Sequence, residues 1–309
     1  MDRLSPLANV SATRAVLEQH GLGTRHALGQ NFLISDDIVR KICELAALSS
    51  DDCVLEVGPG IGTLTIALLK SAGRVVSVEM DRNLPAVLAD TLAPWEDRFT
   101  LIQKDGLDLG MSDLEQVRAV PTAFVSNLPY AVAATIVLDY FERFDSIRFQ
   151  TVMVQKEVAD RMMARPGTKE YGAYTVKLSL FAQPTGRFRV APGNFFPPPH
   201  VDSAVIRLDR TTVATDDGRA LTPVERRSTC TMVDAAFATR RKTLANSCRT
   251  YFSGKGPEGK RTAEMLPVLF ERAGIDPKRR GETLDQAEFI RLGLAYAQVN
   301  GASTQMEGN

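Results

Sequence analysis

The stretch Val54-Leu55-Glu56-Val57-Gly58-Pro59-Gly60-Ile61-Gly62-Thr63-Leu64-Thr65 decides the fold class of this chain. A short apolar run that stops at closely spaced glycines and resumes with helical spacing reads as a strand, a tight turn and a helix. Glycines at 58, 60 and 62 let the backbone turn sharply and let a ligand approach with no Cβ in the way. The spacing is G-x-G-x-G, whereas a dinucleotide pyrophosphate wants G-x-G-x-x-G. Glu56, in the strand just before the turn, would repel a phosphate and tolerate an ammonium or sulfonium end, which points to S-adenosylmethionine. For the turn taken alone, a strand-to-helix loop without a ligand stays open as an alternative.

Outward from that turn, between about residues 36 and 210, short β-branched runs alternate with longer helical patterns. This is the pattern of crossover units around a mainly parallel sheet, an α/β layer fold. Residues 53–57, 74–78, 99–103, 123–126 and 149–154 read as buried strands, and 37–47, 62–71, 83–92 and 131–144 as helices, with Asp36 as an N-cap. After Pro197-Pro198-Pro199, residues 203–208 alternate apolar and polar and predict a final antiparallel edge strand. Residues 211–219 turn polar, and beyond Leu221 every element reads as helical. The expected organisation is a cofactor-binding domain over residues 1–215, a helical domain over 216–300 and a disordered tail over 301–309.

Successive strand ends carry polar residues suited to one crevice. Glu79 lies 21 positions after Gly58, where a carboxylate accepts from both hydroxyls of a ribose; a surface or capping acid is its plainer reading. One strand later Asp105 is placed to accept from an adenine amino group. After the fourth strand comes Asn127-Leu128-Pro129-Tyr130. Pro129 forces Leu128 to be extended, so the Leu128 carbonyl and the Asn127 side-chain oxygen can both accept from an exocyclic amine. An aryl amine is a poor nucleophile because its lone pair is delocalised; accepting both protons favours a pyramidal nitrogen that can attack a methyl group in line. Tyr130 supplies a face for base stacking. The stiff loop from Asn194 to Ser203 could hold Phe195 as the opposite aromatic wall, although either Phe195 or Phe196 could be plain core.

At 309 residues, 44% hydrophobic and 24% charged, the chain can bury a sizeable core, and a folded rather than disordered chain is expected. Charges interrupt each apolar run short of the ~20 residues of a membrane span, and no signal-peptide pattern opens the chain, so a cytoplasmic location is expected. Cys43, Cys53, Cys230 and Cys248, with three histidines, show neither a disulfide framework nor metal-ligand spacing, so no metal is expected. Net charge is zero, but residues 51–140 hold 6 basic against 13 acidic residues, and residues 221–291 hold 14 against 9. The C-terminal excess suits a polyanion, though solvated helix faces also carry such clusters.

Taken together, these residues resemble the small-subunit ribosomal RNA adenine N6,N6-dimethyltransferase family, the enzymes whose loss confers kasugamycin resistance. The likeness covers about residues 25–295. Beyond the motifs above it rests on Leu28-Gly29-Gln30-Asn31-Phe32-Leu33, on Val154-Gln155-Lys156-Glu157-Val158-Ala159 with Tyr171-Gly172, on Arg240-Arg241-Lys242-Thr243-Leu244 with Asn246, and on Arg280-Gly281-Glu282-Thr283-Leu284. The resemblance implies a class I, Rossmann-like methyltransferase fold, with a seven-stranded mixed sheet and a small all-helical C-terminal domain. It implies S-adenosylmethionine contacts at Asn31, Leu33, Gly58, Gly60, Glu79, Asp105 and Asn127. It further implies handling of the target adenine by Asn127, Leu128, Pro129 and Tyr130, with Phe195 opposite. The expected substrate is two adjacent adenosines near the 3′ end of small-subunit (16S) rRNA in an immature 30S particle, acted on by a monomer. The phosphate-contact candidates are Arg240, Arg241, Lys242, Lys278, Arg279 and Arg280; favourable placement against helix dipoles is their plainer reading. The chain departs from the family pattern at Arg25-His26-Ala27 and His200, both less basic than usual, and at the bulkier Phe196. Two other functions fit the same motifs. One is a large-subunit rRNA adenine methyltransferase of the macrolide-resistance type; the other is a ribosome assembly factor that uses methylation as a release signal.

Overall fold

The structure, a computed structural model, describes residues 3–22 and 31–306, with side chains described as far as residue 299. Nine strands are present among these residues: β1 (Phe32–Leu33), β2 (Cys53–Val57), β3 (Arg74–Glu79), β4 (Phe99–Gln103), β5 (Ala123–Asn127), β6 (Phe149–Gln155), β7 (Ala182–Val190), β8 (Phe195–Phe196) and β9 (Ser203–Arg210). The helices interleaved with them are α1 (Val10–Gln19), α2 (Asp36–Ala46), α3 (Thr63–Ser71), α4 (Leu84–Thr91), α5 (Met111–Gln116), α6 (Ala133–Arg143), α7 (Lys156–Met162) and α8 (Ala173–Ser179). After β9 the chain is helical: α9 (Pro223–Phe237), α10 (Leu244–Ser253), α11 (Gly256–Ala273) and α12 (Gln286–Met306).

Seven strands form one sheet in the order β4-β3-β2-β5-β6-β9-β7. The strands from β4 to β6 run parallel, and β9 pairs antiparallel with β6, Gln155 opposite Ser203. Strands β2, β3, β5 and β6 bury nearly every residue, so both faces of the sheet are covered, which is why apolar residues dominate these segments without strict alternation. The chain winds outward from β2 to β4 and then returns to place β5 on the other side of β2. That reversal opens a crevice beyond the carboxyl ends of β2 and β5, the usual ligand position in such sheets.

The expected edge strand is β9, and it lies inside the sheet; β7 takes the edge. Pro184 and Gly186 interrupt the strand pattern of β7, and an edge is where a proline, lacking a ladder donor, is tolerated. Asp36 is the first residue of α2, and Ser35 stands at the N-cap. The Asp36 carboxylate is drawn elsewhere: it accepts from the backbone N–H groups of Leu4 (3.2 Å) and Ser5 (2.9 Å), tying the N-terminal segment to the helix start.

The chain divides into two compact units, Met1–Ala159 with Gln183–Arg210, and Asp160–Ala182 with Thr211–Asn309. The second unit therefore recruits a stretch that sequence order assigns to the first. Tyr171 and Val176 from that stretch join a core with Val233, Leu269 and Phe289, and the Tyr171 hydroxyl donates to the Leu284 carbonyl at 2.8 Å. A capping box of Thr222 and Glu225 starts α9, and Gly274, at φ +64°, ends α11. Helix α12 runs to Met306.

Candidate functional site

A cavity of about 730 Å³ lies at the carboxyl ends of β2, β3, β4 and β5. Its floor is the turn after β2. Gly58, Gly60 and Gly62 have φ of +71°, +59° and +90°, the left-handed region that glycine alone occupies without strain. The Gly58 N–H donates to the Val78 carbonyl at 2.9 Å, fastening the turn to β3. A Cβ on Gly60 would stand 3.3 Å from the Phe32 ring, so the glycine also lets β1 close over the turn.

Two acids arrive from β2 and β3. Glu56 is enclosed, and its Oε2 accepts from the hydroxyls of Thr65 and Ser77, each at 2.7 Å. Burial pushes its carboxyl up to about 7; the two hydroxyls oppose the rise and the neighbouring Glu79 charge adds to it. Glu79 is raised chiefly by burial as well, and its Oε1 accepts from the Asp81 N–H at 2.8 Å, which holds the carboxylate at the cavity wall. Asp105 caps the short turn after β4, accepting from the Leu107 N–H at 2.9 Å. Gly106 beside it has no room for a side chain, since a Cβ would stand 2.8 Å from Val57 Cγ1.

The tetrapeptide Asn127-Leu128-Pro129-Tyr130 forms the far wall. Asn127 Nδ2 donates to the Asn31 carbonyl at 3.3 Å, which turns the side-chain oxygen away from that contact. The Leu128 N–H donates to the Met153 carbonyl of β6 at 3.2 Å. Tyr130 is half-buried, and its hydroxyl lies 2.6 Å from Ser203 Oγ.

The structure brings ten of the expected site residues around this one cavity: Asn31, Leu33, Gly58, Gly60, Glu79, Asp105, Asn127, Leu128, Pro129 and Tyr130. It places Phe195 elsewhere. The two-residue ribbon β1–β8 sets Leu33 opposite Phe195 and Phe32 opposite Phe196, and Phe195 is 2% exposed in the core cluster. As it stands, its ring presents no face to a base, and Phe196 is covered by the Arg14 guanidinium at 5.0 Å. Sequence reasoning missed Thr63, Thr65 and Ser77. Thr63 Oγ1 is enclosed beside the cavity with no hydrogen-bond partner among the described residues. Hydroxyls following the glycine turn are the only signal that could have flagged it. Residues 28–30 of the N-terminal signature and 25–27 before it lie outside the described residues.

In the helical unit, the two basic segments are joined by the Leu244 N–H to the Arg279 carbonyl (2.6 Å) and the Ala245 N–H to the Pro277 carbonyl (3.1 Å). Not all their cations face solvent freely. Arg240 donates to Glu282 at 2.8 Å and to the carbonyl of Lys169 at 2.6 Å, and Arg279 pairs with Glu288 and donates to the Thr283 carbonyl. Arg280 lies 4.0 Å from Glu282. Arg241, Lys242 and Lys278 are exposed and without an ion pair among the described residues. Among the described residues no group of three or more His, Cys, Asp or Glu is placed to hold a metal ion, and no helix is long and apolar enough to cross a membrane.

The residues present fit S-adenosylmethionine: a cradle of glycines at positive φ, an orphaned enclosed hydroxyl at Thr63, and carboxylates at successive strand ends. The sheet order and the site at its reversal define a Rossmann-like class I methyltransferase fold with a helical C-terminal region. Residues 21–291 match the model of the ribosomal RNA adenine dimethylase family, and the chain belongs to that family. It is 40% identical over 304 residues to the ribosomal RNA small subunit methyltransferase A of Geobacillus kaustophilus, covering 96% of this chain and 98% of that one. With the protein of the same name from Enterococcus faecalis it shares 39% identity over 292 residues, 94% and 96% of the two chains. Among solved structures it is similar to a dimethyladenosine transferase from Plasmodium falciparum (TM-score 0.71, 21% identity, 87% and 98% covered). A 23S rRNA methyltransferase, ErmE, also superposes (TM-score 0.61, 24% identity, 86% and 99% covered).

Proposed function

We propose that this protein transfers methyl groups from S-adenosylmethionine to N6 of two adjacent adenosines near the 3′ end of small-subunit rRNA, giving N6,N6-dimethyladenosine. The observation that carries the reading is the Asn127 amide: its nitrogen is committed to the Asn31 carbonyl, so its oxygen is left to accept from an amine in the cavity. Asn31, Leu33, Gly58, Gly60, Glu79 and Asp105 hold the cofactor, with Glu79 accepting from the ribose and Asp105 from the adenine amine. When bound, the cofactor supplies an electrophilic methyl group.

This chain's own residues prepare the nucleophile. Asn127 Oδ1 and the Leu128 carbonyl accept the two N6 protons of the target base, which favours a pyramidal nitrogen with its lone pair free of the ring. No strong general base is needed, because the amine becomes acidic on alkylation and releases its proton readily. A neutral amide suits a second round, in which the monomethyl amine has one proton left to donate. Tyr130 stacks on the base; Arg241, Lys242 and Lys278 meet RNA phosphates. Docking on an immature 30S particle in the cytoplasm, with methylation marking its release, extends this reading; retained particle binding by an Asn127→Ala variant would support it, and loss of that binding would count against it.

The test is labelled methyl transfer from S-adenosylmethionine to unmodified small and large subunits side by side. Label in the small subunit supports the reading. Label confined to the large subunit, or binding without transfer, overturns it.

A further inference from the structure

Within the cavity wall Tyr130 and Phe32 are the aromatic residues, and Phe32 packs over the Gly60 turn. Phe195 is enclosed in the core, so among the described residues Tyr130 is the cavity aromatic that shares a tetrapeptide with Asn127. Its ring must therefore hold one orientation through both rounds of transfer, and the chain offers a specific tether for it. The Tyr130 hydroxyl and Ser203 Oγ are 2.6 Å apart across 73 positions of sequence. Ser203 is fully enclosed, opens β9, and is in register with Gln155 of β6, itself a cavity residue. The Lys156 N–H, at the start of α7 directly after β6, donates to the Asp202 carbonyl at 2.9 Å, so the backbone just before Ser203 is tied to the end of that strand. Two residues before Tyr130, the Leu128 N–H is bonded to Met153 of β6 at 3.2 Å. The tetrapeptide is thus gripped by two adjacent strands, at its backbone by β6 and at the tip of its aromatic side chain by β9.

We propose that Ser203 is a positioning residue for base recognition, whose hydroxyl fixes the Tyr130 ring in the plane that receives the target adenine. The inference rests on the methyl-transfer reading above. A rotating Tyr ring has a broad second torsion and no intrinsic preference for one tilt; a hydrogen bond at the phenol oxygen removes that freedom before RNA arrives. Preorganised stacking is felt in the reacting complex, where the amine must line up with the methyl group, and is not felt by the cofactor, which other residues hold. Ser203 acts only through Tyr130, so removing either hydroxyl removes the same effect.

The experiment compares Ser203→Ala, Tyr130→Phe and the double variant on unmodified small subunits at saturating cofactor, with cofactor affinity by calorimetry and thermal unfolding in parallel. Each single change is expected to lower kcat roughly three- to tenfold, the range of one lost hydrogen bond. The double variant is expected to be no slower than either single one, and cofactor Kd to stay within about twofold of the unaltered protein. Tyr130→Phe keeps the ring and the fold testable if Ser203→Ala unfolds. Unchanged kcat in both single variants, or a double variant slowed by the product of the two, overturns the inference alone. Absence of methyl transfer by the unaltered protein removes the functional reading and this inference with it.

Discussion

Asn127 Nδ2 donates to the backbone carbonyl of Asn31 at 3.3 Å, so a residue of the fourth parallel strand end takes its amide orientation from the segment that enters β1. The bond matters because an amide can face either way. With the nitrogen committed, the oxygen is the atom available to an incoming amine. Asn127→Ala is expected to lower single-turnover methyl transfer by about a hundredfold or more, the scale of losing one preorganised polar contact at a reacting centre. Retention of ordinary turnover in that variant would show that the amide does not touch the reacting amine.

Glu56 makes the cofactor-free fold sensitive to pH. Its carboxyl is raised by burial to about 7 against an ordinary 4.5, so the folded state holds this proton more tightly than the unfolded chain does. The resulting stabilisation is complete below about pH 4.5 and is lost as pH rises through 7, up to about 3 kcal/mol. Glu79, raised in the same sense, adds to the trend. Glu56→Gln keeps the size of the group and cannot ionise, so urea unfolding between pH 5 and 8 should show a flatter stability profile for the variant. Equal pH slopes for the two proteins would contradict the burial argument.

Gly60→Ala forces an L side chain to φ +59° and sets its Cβ 3.3 Å from the Phe32 ring. The backbone cost alone is about 1–2 kcal/mol. A melting temperature lowered by several degrees and cofactor binding weakened by about tenfold are expected; an unaltered Kd would separate this glycine from the cofactor site.

The basic loops of the helical unit divide by their partners. Arg240→Ala and Arg279→Ala remove cations that hold Glu282, Glu288 and backbone carbonyls, so they are expected to lower stability by about 1–2 kcal/mol. Arg241→Ala, Lys242→Ala and Lys278→Ala should leave unfolding unchanged and weaken RNA binding. For each lost phosphate contact, the slope of log affinity against log salt should fall by roughly 0.7–0.9. A salt slope unmoved by all three changes would remove this surface from RNA contact.

The parts of the site readable from sequence are those carried by local pattern. Val54 to Thr65 announces strand, turn and helix within twelve positions, and Glu79, Asp105 and Asn127 follow because parallel strands all end at one edge of the sheet. What escaped reading is set by contacts between distant segments. Asp36 has the chemistry of an N-cap, yet Leu4 and Ser5 claim its carboxylate. Phe195 and Phe196 are equivalent in composition, and only the register of β8 on β1 buries one beside Leu33 and leaves the other under Arg14. Residues 160–182 lie between two strands of the sheet in sequence, and their membership of the helical core depends on Tyr171 and Val176 meeting helices more than 50 positions away. The partners of Arg240, the Lys169 carbonyl and Glu282, are likewise remote in sequence.

The central claim is that this cavity dimethylates adenine N6 in small-subunit RNA, and nucleoside analysis of small subunits after incubation with the protein and labelled S-adenosylmethionine tests it most directly. The account predicts N6,N6-dimethyladenosine at two adjacent positions near the 3′ end, with about four methyl groups per particle by the balance of two methyls on each of two amines. Label that stays absent from adenine while calorimetry shows cofactor bound, or that stops at monomethyladenosine, would contradict it.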